Sequence, residues 1–116
     1  MTVLKIVANL ASADVQGMAG FYADLLGLNI LMDQGWITTL GSNTLAPVQL
    51  SIASEGGSNT PVPDLSVQVE DVDELYARAV ALGYDILYPL TDEPWGVRRF
   101  YVADPMGRAI NILAHH

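Results

Sequence analysis

The sequence contains no cysteine, and its two histidines, His115 and His116, are the last two residues. Without cysteine there can be no disulfide, no thiolate metal site and no cysteine nucleophile, which is compatible with the cytoplasm, where we expect the protein to act. Since both histidines end the chain, none lies inside a predicted element, and we assign them no role. The sequence also lacks a Gly-x-Ser-x-Gly elbow and a phosphate-binding loop.

Basic residues are scarce. Five lysines and arginines face thirteen acids, which gives a formal net charge of −8. A chain this acidic repels phosphates, so we expect no nucleic-acid partner, whereas it attracts cations over a long range. The same charge can also serve solubility alone.

Long apolar runs are absent as well. The first residues, MTVLKIVANL, do not resemble a signal peptide, and no segment approaches the roughly 18 apolar residues of a membrane span. We therefore expect no membrane partner. Hydrophobic residues make up 51% of the 116 residues and charged ones 16%, which is typical of one globular domain covering residues 1–116.

The chain repeats itself at about half its length. Residues 26–31 read LGLNIL and residues 82–87 read LGYDIL, and Asp-Val precedes each glycine by about a dozen residues, at Asp14 and Asp71. Such a period predicts two copies of one structural unit. We place module one at about 1–54, a Gly/Ser/Pro-rich linker at about 55–63 and module two at about 64–114.

Each copy carries the signals of a helix of about twelve residues. Asp14 and Asp71 suit helix N-caps, and Glu74 occupies the capping-box position after Asp71. Apolar residues then recur at helical spacing until Gly27 and Gly83, where a left-handed residue closes a helix.

Strands are predicted around the two helices. The segments are VLKIVANL, NILMD, WITTL and VQLSIA in the first copy, and DLSVQVE, DILYPL, VRRFYVA and RAINIL in the second. Turn residues separate them at Asp33-Gln34-Gly35, Gly41-Ser42-Asn43 and Asp104-Pro105-Met106-Gly107. The order is β-α-β-β-β twice, an α+β fold.

Several strands alternate between apolar and polar residues, as when Ile110 and Ile112 flank Asn111 or Val48, Leu50 and Ile52 alternate with Gln49 and Ser51. One face is thus packed under the helices and the other is more polar. That polar face either meets solvent or lines a cavity. Its Asn, Gln and Ser residues, with little Lys or Glu, are typical of a pocket.

Taken together, the duplicated order, FYADLLGL (21–28), VEDVDELYARAVALG (69–83) and FYVADPMGRAINIL (100–113) resemble the vicinal oxygen chelate superfamily of glyoxalases, bleomycin-resistance proteins and extradiol dioxygenases. The resemblance implies two tandem βαβββ modules that form a curved mixed sheet with a cleft, and a homodimer.

The resemblance also implies where enzymes of this superfamily hold a metal. Those positions fall on or near Val7, near Gln49 or Ser51, on Asp64 and on Asn111. A divalent site needs three or four imidazole or carboxylate donors. We therefore expect no metal, no cofactor and no catalytic residue, although Asp64 as a general base would be an alternative.

The resemblance includes a non-catalytic branch that sequesters hydrophobic or aromatic drugs. We therefore predict a metal-independent small-molecule binding protein of the glyoxalase/bleomycin-resistance type, which sequesters an aromatic or cationic natural product or antibiotic. Four aromatic residues are candidates for the pocket wall, and one of two adjacent arginines is expected to meet a carboxylate or phenolate of the ligand while the other pairs with Asp92 or Glu93. The predicted ligand-binding residues are Asn9, Trp36, Gln49, Ser51, Asp64, Ser66, Tyr88, Trp95, Arg98, Arg99, Tyr101 and Asn111. A superfamily enzyme with a non-standard metal site and a ligand-free dimerisation module remain alternatives.

Overall fold

The structure is a computed structural model that describes residues 2–42 and 49–116. Two residues of predicted elements, Asn43 and Val48, lie outside the described residues. The elements, in chain order, are β1 (Val3–Ala11), α1 (Val15–Leu26), β2 (Asn29–Asp33), β3 (Ile37–Gly41), β4 (Gln49–Ala53), β5 (Leu65–Val69), α2 (Val72–Ala81), β6 (Ile86–Asp92), β7 (Val97–Ala103) and β8 (Ala109–His115). The predicted β-α-β-β-β order, repeated twice, and the α+β class are confirmed.

The chain divides into two compact units. The first spans Val7–Val62, and the second comprises Pro63–His116 together with the beginning of the chain as far as Ile6. In the second unit the backbone N–H of Glu70 donates to the carbonyl of Thr2 at 3.1 Å. The first residues of β1 therefore group with the second unit.

Both units have the same strand pairing. In the first unit β1 pairs in parallel with β4, and β3 joins β4 and β2 by antiparallel pairing. In the second unit β5 pairs in parallel with β8, and β7 joins β8 and β6 in the same antiparallel way. A parallel pair needs a crossover connection, and in each unit the helix lies within that connection.

The helix ends form as the sequence predicts. A carboxylate oxygen of Asp14 accepts from the backbone N–H of Gly17 at 2.9 Å, and one of Asp71 accepts from that of Glu74 at 3.0 Å. Gly27 has a φ of 67° directly after α1, which is the left-handed conformation expected there.

The end of α2 is a Schellman motif. Gly83, with a φ of 77°, donates its N–H to the carbonyl of Val80, and the N–H of Tyr84 reaches back to the carbonyl of Ala79, both at 3.1 Å. α2 has ten residues and α1 twelve.

Each unit buries the apolar face of its sheet against its own helix. In the first unit Ala19 of α1 packs with Leu40 and Ile52, and in the second Val72 and Ala79 of α2 pack with Phe100 and Ile112. The ring of Phe100 meets that of Tyr76 edge-on, with 5.0 Å between centroids. Because strand side chains alternate, the residues between these core positions project from the opposite face.

No helix in the described part of the chain is long and apolar enough to cross a membrane.

Candidate ligand-binding residues

A row of polar side chains crosses the second unit on the face opposite α2. Asn111 of β8 lies beside Ser66 of β5 on one side and Tyr101 of β7 on the other, and Tyr101 in turn pairs with Tyr88 of β6. Since Ile110 and Ile112 pack toward α2, Asn111 between them projects away from it. All four residues of this row were predicted from the sequence.

The side chain of Asn111 is only half satisfied. The residue is 7% exposed, and its Nδ2 donates to Oγ of Ser66 at 3.1 Å. Its Oδ1 is buried and has no hydrogen-bond partner among residues 2–42 and 49–116. Buried polar groups in proteins are nearly always paired, so this oxygen marks the row as a candidate site.

The first unit has an equivalent row. Asn9 of β1 lies beside Ser51 of β4, and Ser51 lies beside Thr39 of β3. Oγ of Ser51 and Oγ1 of Thr39 are 2.7 Å apart and both residues are buried. Thr39 was not among the predicted residues. Two threonines, Thr38 and Thr39, are adjacent in β3, and only the position of the core residue Leu40 indicates which of them lies on the polar face. Gln49 begins β4, where it pairs with Gly41, and it is partly buried.

Three of the predicted aromatic residues surround Arg99. The carbon at the centre of its guanidinium is 5.0 Å from the ring centroids of Trp95 and Tyr101 and 5.1 Å from that of Tyr88. Its Nη1 also donates to the hydroxyl of Tyr101 at 3.1 Å. A cation over three aromatic faces is the arrangement in which proteins bind organic cations, and here the chain itself supplies the cation.

The rings of Trp95, Tyr101 and Tyr88 form an aromatic cage around Arg99, and Glu93 binds the arginine inside it. Its Oε2 accepts from Nε and Nη2 of Arg99, at 2.7 and 2.6 Å, and from the hydroxyl of Tyr88 at 3.2 Å. The side chains of Arg99 and Glu93 are each 3% exposed. The two charges therefore compensate each other where water is excluded.

Arg98 lies on the opposite face of β7, toward α2. Its Nε donates to Asp73 of α2 at 2.8 Å and its Nη1 to Asp92 at 3.1 Å. The hydrogen bond to Asp73, followed by that to Asp92, raises the pKa of Arg98 above its ordinary value. One of the two arginines was predicted to meet a carboxylate or phenolate of the ligand. In the structure, the guanidinium groups of both Arg98 and Arg99 bind carboxylates of the chain.

Two further predicted residues lie apart from the polar rows. Asp64 precedes β5, is more than half exposed, and has its Oδ2 3.8 Å from Nε of Arg108. Trp36 is partly buried in the β2–β3 hairpin, where its carbonyl accepts from the backbone N–H of Ser54 at 2.9 Å.

The family was established by comparison with known proteins. A family model described as the Glyoxalase/Bleomycin resistance protein/Dioxygenase superfamily matches residues 4–112. The chain belongs to this superfamily. A bleomycin resistance protein from Geobacillus stearothermophilus is 29% identical over an alignment of 129 positions that covers 95% of this chain and 96% of the relative. One from Staphylococcus aureus shows the same identity and coverage.

Solved structures agree with this fold. A superfamily member from Vibrio splendidus 12B01 has a TM-score of 0.69 at 22% identity and covers 97% of this chain and 99% of its own. A methylmalonyl-CoA epimerase from Streptomyces coelicolor has a TM-score of 0.72 at 16% identity, with coverages of 98% and 96%. At these identities the likeness concerns the fold alone.

The residues predicted to occupy the superfamily's metal positions do not have the side chains that a divalent metal needs. Val7 is a buried aliphatic residue, the exposed carboxylate of Asp64 faces Arg108, and Asn111 offers one amide oxygen. Within the described ranges, no three or more His, Cys, Asp or Glu side chains are grouped to hold a metal ion. Structural and catalytic metal sites use several such donors converging on one point.

Proposed function

We propose that this protein binds a small organic molecule without a metal ion, in the manner expected of the bleomycin-resistance type, and sequesters an aromatic or cationic natural product. The observation that carries the proposal is the polar row of the second unit, where Asn111 has a buried amide oxygen with no partner in the part of the chain that the structure describes. Ligand sites combine apolar surface with a few uncharged polar groups, and this row places the amide of Asn111 and the hydroxyl of Ser66 beside two tyrosine rings.

The superfamily relatives support the class of function. Bleomycin resistance proteins match this chain along nearly its whole length, at 29% identity. Superfamily membership alone is also compatible with an enzyme. However, the positions predicted to hold a metal carry an aliphatic residue (Val7), uncharged polar residues (Gln49 or Ser51, and Asn111) and one exposed carboxylate (Asp64). No residue of the chain is therefore assigned a catalytic role.

The charge of the chain supports the ligand class. A net charge of −8 creates a field that steers cations toward the protein and repels anions. We also propose that the protein acts as a homodimer and that it works in the cytoplasm.

Fluorescence and calorimetry test this function. Metal-free bleomycin and a panel of aromatic natural products are titrated into the full chain, with Trp36 and Trp95 as the fluorophores. At least one compound should bind saturably, EDTA should leave its affinity unchanged, and a cationic compound should bind more weakly as salt rises. Ser66→Ala should weaken binding, whereas Asp24→Ala, an exposed change in α1, should not.

Two results would contradict the proposal. One is the absence of saturable binding across the panel. The other is binding that EDTA abolishes, together with zinc, nickel, manganese or iron in the purified protein by elemental analysis, since that result favours a superfamily enzyme.

A further inference from the structure

The unpaired amide oxygen of Asn111 indicates which chemical group the site recognises. Nδ2 of this side chain is held by Ser66, so the plane of the amide is fixed while Oδ1 lacks a partner in the described parts of the chain. Leaving a buried acceptor unsatisfied costs free energy, so a fold retains one only where something else offsets the loss.

The duplicated unit supplies an internal comparison. Ser51 holds the position of Asn111 in the first unit, because each residue lies between a parallel strand and an antiparallel one at the same place in the ladder. The hydroxyl of Ser51 is paired with Thr39 at 2.7 Å. The missing partner is therefore a property of Asn111 itself and does not arise from the position in the fold.

All four arginines of the chain lie in the described residues, and all four bind carboxylates. Arg99, on the same face as Asn111, is held by Glu93 and Tyr101. The remaining arginines pair with carboxylates on the surface, namely Arg78 with Glu74, Arg98 with Asp73 and Asp92, and Arg108 with Asp64 and Asp104. An anionic ligand at Asn111 would thus meet an amide oxygen, which repels it, while every arginine of the described residues is already bound to a carboxylate.

We propose that Oδ1 of Asn111 accepts a hydrogen bond from an N–H or O–H group of the bound molecule. The site therefore takes an amide, amine, amidine or hydroxyl donor, neutral or cationic, and rejects carboxylates. This inference rests on the proposed function and specifies the group that the same site recognises. Because Oδ1 is covered, the donor reaches it only when side chains next to Asn111 move aside.

Protein stability gives a first test that needs no ligand. Asn111→Leu removes the acceptor together with the hydrogen bond from Nδ2 to Ser66 and nearly keeps the side-chain volume, so the thermal midpoint should fall less than in a variant that strands a paired group. Ser51→Val is the matched control, since it leaves Thr39 without its partner and should lower the midpoint. If Asn111→Leu lowers the midpoint as much as Ser51→Val does, Oδ1 is satisfied in solution and the inference is wrong.

Three matched probes give the second test. Benzamidine, benzamide and benzoate share one ring and differ in being a cationic donor, a neutral donor and an anionic acceptor. In NMR titrations of isotope-labelled full-length protein, the two donors should shift the side-chain amide signals of Asn111, and Asn111→Leu should weaken their binding about tenfold, the value of one hydrogen bond. Benzoate should leave these signals unchanged.

The probe experiment has clear contrary outcomes. Benzoate binding as tightly as benzamidine, unchanged benzamidine binding in Asn111→Leu, or no shift from either donor up to its solubility limit would each overturn the inference. The proposed function fails separately. If benzamidine and benzamide bind at Asn111 but no natural product binds the protein, the inference stands and the proposed function fails. If a natural product binds but neither donor binds at Asn111, only the inference fails.

Discussion

Arg99 and Glu93 form an ion pair inside the second unit, with Nη2 of the arginine 2.6 Å from Oε2 of the glutamate. The pair links β7 to the turn that precedes it, where the N–H of Glu93 also donates to the carbonyl of Val97 at 2.8 Å. Trp95, Tyr88 and Tyr101 enclose the guanidinium. Three of the four aromatic residues that the sequence predicts as a ligand wall thus contact a cation of the chain itself.

Removing one partner of this pair should destabilise the protein strongly. Glu93→Ala leaves the guanidinium of Arg99 buried and uncompensated, and breaking a buried pair in this way typically costs about 3–5 kcal/mol. The free energy of unfolding, measured by urea denaturation followed by circular dichroism, should fall by that amount. Replacing both residues by methionine should recover much of the loss, because no charge is then left alone.

The exposed arginine next to it provides the control. Asp92→Ala removes one carboxylate from Arg98, which is solvated and keeps Asp73 as a partner. This change should alter stability by only a small fraction of the Glu93→Ala effect. An equal loss of stability in Glu93→Ala and Asp92→Ala would show that the buried Arg99–Glu93 pair matters no more to folding than the exposed Arg98–Asp92 pair.

The helix N-caps should be measurable in both units. Asp71→Ala removes the acceptor of the Glu74 N–H, and the loss of a cap costs about 1 kcal/mol. Asp71→Asn keeps an acceptor and should cost much less. Asp14→Ala should behave like Asp71→Ala, while Asp24→Ala, within α1, should stay near wild type in urea denaturation.

The turn between β7 and β8 should make stability depend on pH. Oδ1 of Asp104 accepts from the backbone N–H groups of Arg108 and Met106, both at 2.9 Å. The bond from Arg108 is the main cause that lowers the pKa of Asp104 below its ordinary value of 3.8. A carboxyl whose pKa is lower in the folded chain stabilises the fold above its unfolded pKa and loses that contribution as pH falls through the folded value.

The measurement compares wild type with Asp104→Asn, which keeps an acceptor but does not titrate. The stability advantage of wild type should be constant near neutral pH and should shrink once the pH drops below about 3.8, the ordinary value. An advantage that persists unchanged at lower pH would show that this carboxylate is not the group that titrates. Thermal midpoints across a pH series give the comparison.

Most of the fold follows from the sequence because its signals are local. Asp14, Asp71 and Gly27 mark helix ends through backbone groups a few residues away, and alternation along each strand separates core from polar positions. The strand boundaries in the structure lie within two residues of the predicted ones. The sequence does not indicate which acids bind Arg98 and which bind Arg99, because this depends on the acids that the fold brings near each arginine. Asp73 is 25 residues from Arg98 in the chain.

The candidate site was predictable only in outline. The place of Asn111 on the polar face follows from its neighbours Ile110 and Ile112. Its half-satisfied amide does not, because Ser66 lies 45 residues away and pairs with it only once β5 and β8 are adjacent. The aromatic cage was also not predictable. The sequence contains the three aromatic residues and Arg99, but it does not show that the guanidinium of Arg99 lies between their rings.

Two glycines that differ in backbone conformation should respond to alanine in opposite directions. At Gly83, with a φ of +77°, an added Cβ meets no atom within 4 Å, so the only penalty is the left-handed backbone, about 1–2 kcal/mol. Gly20 lies within α1, is exposed, and has equally open space for a Cβ, so Gly20→Ala should stabilise the protein by up to about 1 kcal/mol. Urea denaturation of the two variants gives both values. Destabilisation by Gly20→Ala would mean that this helix face is covered in solution, since alanine is otherwise the better helix former.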